Sequence, residues 1–379
     1  MTYFNKTKGR GAALATTILG AAMAVSAQAE TADIVAQSAQ IVEQGYAGLY
    51  EAPPASGPAA VEGKNIWYIS CGQAFVLCAQ QAEGFTEAAE HLGWTVSVQD
   101  GKATPSIASD IIRQAVAAKV DGIAISAFDC PGIKSALLQA KADGVPVVSV
   151  QSIDCSADVF GSEEPLFTAS VNMLGSTDAR DFYYRFGELR AHYVIAKSGG
   201  TGKIVSIAET SQQVQQSNHQ GFMDTIAKCE GCEVAESKFN FGQVPSPATQ
   251  IWQSALLQNP DAVAVEYGID ALMELGLQTA VRQTGRRDLI VGGGEGFPNN
   301  FEQIRSGTQT FSIGLPFKWF GWAVADTMNR VQAGEAPEDI PSQGTGFMFV
   351  DAEHNLPASG EMLEPNVDFR SAYLSIWNG

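Results

Sequence analysis

Val120-Asp121-Gly122-Ile123-Ala124-Ile125 returns 140 residues later as Pro260-Asp261-Ala262-Val263-Ala264-Val265. Each copy is a turn followed by a short apolar run, the pattern of a strand covered on both faces. A second echo lies upstream of each: Glu83-Gly84-Phe85-Thr86-Glu87 recurs 137 residues on as Gln220-Gly221-Phe222-Met223-Asp224. Two motifs in one order at nearly one offset predict two lobes of the same topology.

Around the first copy, strands alternate with helices. Ile66-Trp67-Tyr68-Ile69 reads as a strand, and Phe75, Ala79, Ala82, Phe85, Ala89 and Leu92 then fall on one helical face that Gly93 ends. Trp94 to Val98 is the next strand, Ser106 to Lys119 a helix, and Ile123 to Ser126 a strand. Pro131 opens a helix that Gly144 closes, and Val145 to Val150 completes the series. In the second half, Lys203 to Ala208, Val263 to Glu266 and Leu289 to Gly292 read as strands. The predicted class is α/β, with two similar doubly wound parallel sheets.

The beginning of the chain speaks to compartment. Lys6, Lys8 and Arg10 precede the uncharged run Gly11 to Val25, and Ser26-Ala27-Gln28-Ala29 offers a small-x-small cleavage pattern. Residues 1–29 therefore read as a secretory signal peptide, with no Cys at the cut to take a lipid. The expected product is periplasmic. Past residue 29 the chain has 20 Lys and Arg against 41 Asp and Glu, a net charge of −21 that disfavours nucleic acid and anionic lipid. Residues 30–63 read as a helical arm running into the irregular linker Pro53-Pro54-Ala55-Ser56-Gly57-Pro58. Six cysteines in an exported chain favour disulfides. Cys71 pairs locally with Cys78 and Cys130 with Cys155 in this reading, and Cys229-Glu230-Gly231-Cys232 pins a helix-to-strand turn.

Ligands of parallel sheets sit at the carboxyl ends of strands. Those positions hold Gln73, Phe75, Phe128, Asp129, Gln151 and Ser152 in the first half, and Glu209 to Gln216, Glu266, Tyr267, Glu295 and Phe297 in the second. Carboxylates and amides accept from hydroxyl groups, and flat rings cover C–H faces. Other chemistries find no support. Gly292-Gly293-Gly294-Glu295-Gly296-Phe297 has Phe where a dinucleotide fingerprint needs its third glycine, and Ser198 to Lys203 runs into a strand where a phosphate loop needs a helix. His91, His192, His219 and His354 have no metal spacing, and no nucleophile elbow occurs. Neither cofactor nor catalysis is expected.

With Gly84-Phe85, Val120-Asp121-Gly122-Ile123, Asp129, Gly144-Val145-Pro146-Val147-Val148 and Asn172 in view, residues 64–350 resemble the ribose-binding-protein family. These are the type I, sugar-type periplasmic binding proteins of ABC importers. The resemblance implies a three-stranded hinge crossed near 171, 315 and 346. It implies a first lobe of 64–171 plus 316–346 and a second of 172–315 plus 347–379. It also implies a monomer that presents a small-molecule ligand to an inner-membrane permease. Asp129 matches the family's acid after the third strand, and Glu295 stands where the second lobe has its acid. The family's arginine falls at Gln216, its asparagine at Tyr267 and its glutamine near Gly314 or Leu315. Leu315-Pro316-Phe317-Lys318-Trp319-Phe320 adds further rings. These departures imply a sugar-like ligand with fewer hydroxyls, or an aromatic one, and two acids near rings also suit an organic cation. Two alternatives stand beside this reading. A sensor presenting its ligand to a chemoreceptor or kinase would be told apart by neighbouring genes. An exported hydrolase would use Asp129 and Glu295 as acid and base.

Overall fold

The computed structural model describes Met1, Thr2 and residues 15–379, with side chains from Thr31 onward. The expected leader's basic residues, Lys6, Lys8 and Arg10, and the side chains of its cleavage pattern lie outside the described residues. Among the described residues, no helix is long and apolar enough to cross a membrane.

A long helix, α1 (Ala15–Ala47), comes first. The first sheet follows with β1 (Asn65–Ser70), α2 (Val76–His91), β2 (Thr95–Asp100), α3 (Pro105–Ala117), β3 (Gly122–Ser126), α4 (Cys130–Ala142), β4 (Val147–Val150) and the short β5 (Ala169–Ser170). Its strands lie in the order β2-β1-β3-β4-β5, all parallel. The chain then builds α5 (Ala179–Ser198), β6 (Gly202–Glu209), α6 (Gln213–Ile226), β7 (Cys232–Phe239), α7 (Ala248–Gln258), β8 (Ala262–Tyr267), α8 (Gln278–Gln283), β9 (Ile290–Gly292), α9 (Pro298–Arg305) and β10 (Phe311–Gly314). It closes with α10 (Phe317–Gln332), β11 (Met348–Asp351) and α11 (Phe369–Trp377). The second sheet runs β11-β10-β9-β8-β6-β7, with β11 antiparallel at the edge.

Removing β11 leaves two sheets of one strand order, and the echoed segments occupy matching places. Val120 to Ile125 leads into β3 and Pro260 to Val265 into β8, each beside the first strand of its sheet. The Gly-Phe echo has a packing cause. Phe85 and Phe222 are wholly buried. A Cβ at Gly84 would lie 2.3 Å from the Lys318 carbonyl oxygen of α10, and one at Gly221 would lie 2.0 Å from the Tyr184 carbonyl oxygen of α5. The partner helices answer with glycines of their own. A Cβ at Gly321 would meet Gln81 O at 2.3 Å, and one at Gly187 would meet Asn218 O at 1.8 Å. Each lobe is thus closed by a glycine-lined helix pair, α2 on α10 and α6 on α5, with backbones in direct contact.

The pairing places α10 on the first sheet although it follows β10 of the second. The chain passes between the sheets after β5, after β10 and before β11. At its end α11 returns to the first lobe, stacking Trp377 on Trp322 and Phe369 on Trp319 of α10. Disulfides join Cys71 to Cys78, Cys130 to Cys155 and Cys229 to Cys232. The last spans the turn between α6 and β7.

Candidate functional site

The strand ends of the first lobe form one rim. After β1, Gln73 N donates to Asp100 Oδ1 at 3.0 Å and Phe75 N to Gly72 O at 2.9 Å, so the loop is fixed at both its polar and its aromatic residue. The Cys71–Cys78 disulfide ties this loop to α2. Gln73 is exposed, and Phe75 stands 50% exposed, a large ring held open to solvent. After β3, Phe128 is buried over Gly101, where a Cβ would come within 2.6 Å of the ring. Asp129 begins α4 and accepts from Ile153 N at 2.9 Å. Burial raises its pKa to about 6 against the pull of that amide; Asp178 also raises it and Arg180 lowers it.

After β4, Gln151 sits at a left-handed φ of 53° with its side chain turned inward. It belongs to a buried relay: Ser126 donates to Gln81, Gln81 to Gln151, and Gln151 Nε2 to Tyr183 Oη at 3.1 Å. Tyr183 comes from α5, so this chain of bonds runs from one lobe into the other. Burial first, and the nearby Glu295 charge second, push the Tyr183 pKa up.

Glu295 closes the second rim from a left-handed φ of 78°, with 4% of its surface exposed. It accepts from Asp270 N at 3.2 Å. Asp270, fully buried, accepts from Gly296 N at 2.9 Å, Ser312 Oγ at 2.8 Å and Gln309 Nε2 at 3.2 Å. Burial pushes both acids up, Asp270 to about 7 and Glu295 to about 8, the latter helped by the Asp270 charge. Phe297 stacks on Phe317 at 5.6 Å, and Leu315 lies buried in the crossing to α10.

Three expected ligand positions of the second rim have other surroundings. Tyr267 is fully buried in the core with Trp252 and Leu277, because strand neighbours alternate faces and Glu266 takes the opposite one. Its placement corrects the expectation of a ring for the cleft. Gln216 is exposed and donates to Thr210 O at 2.8 Å, while Glu209 accepts from Ser211 N and Gln212 N in the turn that leads into α6. The amides turned inward are Gln215 and Asn218. Asn218 Nδ2 donates to Gln215 Oε1 at 3.1 Å, and Arg190 Nη2 donates to Asn218 Oδ1 at 2.8 Å. Arg190 is itself buried in an ion pair with Glu266, which Ser206 also reaches. Arg190, Gln215 and Asn218, with Ala208, Gly268 and Ile269, line a small hollow at the ends of β6 and β8. Gln215 and Asn218 fall three apart on α6, a spacing readable from helical period. Tyr183, Gln81 and Asp270 had no such signal.

Two similar lobes, joined by crossings and carrying polar groups at facing strand ends, define a two-lobed solute-binding protein. A model of the periplasmic binding protein domain matches residues 77–336, more than half of the chain. The chain belongs to that family. It is 22% identical over 256 residues to the ribose import binding protein RbsB of Escherichia coli, covering 67% of this chain and 79% of that protein. To the D-apiose import binding protein of Actinobacillus succinogenes it is 26% identical over 241 residues, 63% of this chain and 72% of that one. A solute-binding protein of an ABC transporter from Agrobacterium vitis, bound with alpha-D-tagatopyranose, superposes with a TM-score of 0.65 at 19% identity. It covers 79% of this chain and 98% of its own.

Proposed function

We propose that this protein captures a small neutral sugar between its lobes in the periplasm and delivers it to the permease of an ABC importer. The carrying observation is the Gln151–Tyr183 bond beside Glu295, which brings the carboxyl ends of both parallel sheets against one cleft. The relatives named for ribose and D-apiose, and the neighbour holding a tagatopyranose, support a sugar. Phe75 offers its exposed face to sugar C–H groups, and Gln73, Asp129 and Glu295 offer acceptors to hydroxyls. A Glu295 that keeps its proton near neutral pH also donates. A net charge of −18 over the whole chain disfavours anionic solutes. Ligand that touches both rims stabilises the closed form, and the permease reads that form. The protein releases its ligand unchanged, with no chemistry performed on it.

A thermal-shift screen of pentoses, hexoses, polyols, aromatics and amines tests this. A cognate sugar at a hundred times its Kd adds about 2.7 kcal/mol and raises the melting point by several degrees. A response to amines or aromatics with silence from every sugar overturns the sugar reading. Silence from all classes overturns the binding reading.

A further inference from the structure

Both chain ends lie outside the family match, and both cross the hinge. The arm begins on the second lobe. Ser38 Oγ of α1 hydrogen-bonds His192 Nδ1 of α5 at 2.9 Å, and Tyr46 donates to Asp351 at the end of β11. It then pairs with the crossing that precedes β11. Leu49 N donates to Phe347 O at 2.8 Å, Phe347 N to Leu49 O at 3.2 Å, and Glu51 N to Gly344 O at 3.1 Å. Ser342 Oγ reaches the Glu51 carboxylate at 2.6 Å. The approach is so close that a Cβ at Gly346 would lie 1.9 Å from Leu49 O. Pro53 and Pro54 stiffen the next step. The arm ends on the first lobe, where Arg330 Nη2 donates to Ser56 O at 2.6 Å and Asn329 Oδ1 accepts from Val61 N at 2.9 Å.

The tail makes the same journey. Arg305 Nη2 holds Pro357 O at 2.6 Å on the second lobe. Leu363 then seats against Gly314 in the crossing to α10, where a Cβ would be 2.1 Å from Leu363 Cδ2. Asn366 Nδ2 donates to Ala47 O of the arm at 2.7 Å, and α11 anchors on the first lobe through Arg370 and Glu87. The straps meet again where Ala60 N donates to Trp377 O at 3.0 Å.

We propose that the arm (residues 48–56) and the tail (residues 356–368) are a brace that stiffens the hinge, narrowing the range of lobe angles sampled before any ligand binds. Each strap is anchored on both lobes and touches, in between, a crossing that must rotate, the arm through hydrogen bonds and the tail through the packing of Leu363 on Gly314. Lobe rotation therefore strains these bonds as well as the three crossings. The inference stands on the fold alone and does not require the ligand to be a sugar.

The test is a spin-label distance distribution in ligand-free protein, labelled at Gln139→Cys on α4 and Ser254→Cys on α7, both exposed. The parent gives one narrow distribution. Glu51→Ala with Ser342→Ala removes an arm contact between surface side chains, so the fold survives. Leu363→Ala with Asn366→Ala loosens the tail, and circular dichroism checks its folding. Broadening in the arm variant, increased further when the tail is loosened too, is the expected result. Distributions as narrow as the parent's in both variants overturn the brace.

Discussion

Replacing Gly221 with Ala tests the helix-pair account of the lobes. The added Cβ falls 2.0 Å from Tyr184 O, against about 3.4 Å for ordinary contact, so α5 and α6 must part by about 1.4 Å. Both partners are backbone, and no side chain can swing aside. Overpacking of this kind costs about 1–3 kcal/mol, and more where backbone must move, whereas the gain in helix propensity is about 1 kcal/mol. We expect a net loss of about 2 kcal/mol, with Gly84→Ala showing a similar loss in the other lobe, where the Cβ meets Lys318 O at 2.3 Å. Urea denaturation followed by fluorescence reads both, since Trp252 lies in the second lobe and Trp94, Trp319, Trp322 and Trp377 in the first. Gly285→Ala is the control: at φ 67° with nothing within 4 Å, it reports backbone strain alone, about 1 kcal/mol. A Gly221→Ala protein as stable as the parent, or more stable, would refute the reasoning, because propensity would then have outweighed contact.

Three further outcomes follow from the site. Glu295 binds its proton more tightly folded than unfolded, so its contribution to stability is full below about pH 4.5 and is lost as pH rises to about 8; Glu295→Gln should flatten melting-point loss over that window, and an unchanged slope contradicts the assignment. Cys130→Ala with Cys155→Ala removes a bridge spanning 25 residues and should lower stability by about 3 kcal/mol in denaturant titrations; a loss under about 1 kcal/mol would speak against it. Phe75→Ala removes an exposed ring, so calorimetry should show sugar affinity falling about tenfold, or about 1.4 kcal/mol, with the melting point of free protein unchanged; equal affinity would remove Phe75 from the site.

Strand–helix alternation made the first lobe legible because each segment buries one clear face. α5 escaped such reading. Phe182, Tyr183, Phe186, Leu189, Arg190 and Tyr193 are all buried, since α1 covers one side of this helix and α6 another, which erases a polar face. α10 is buried all round for the same reason, between α2 and α11. Gly292, Gly293 and Gly294 resemble a phosphate-binding run but make room for the rings of Phe311, Tyr267 and Phe186, contacts remote in sequence. The inward pair Gln215 and Asn218 was readable from helical period, whereas Gln216 was chosen by alignment to a family position and points to solvent. The Asp270–Glu295 pair depends on two strand ends meeting, which only topology supplies.

A crystal structure of the protein grown with its tightest-binding sugar addresses the cleft most directly. The account predicts one sugar enclosed between the lobes, its ring against Phe75 and its hydroxyls bonded to Asp129 from the first rim and Glu295 from the second. A sugar held by one lobe only, with the opposite rim left in solvent, would contradict it.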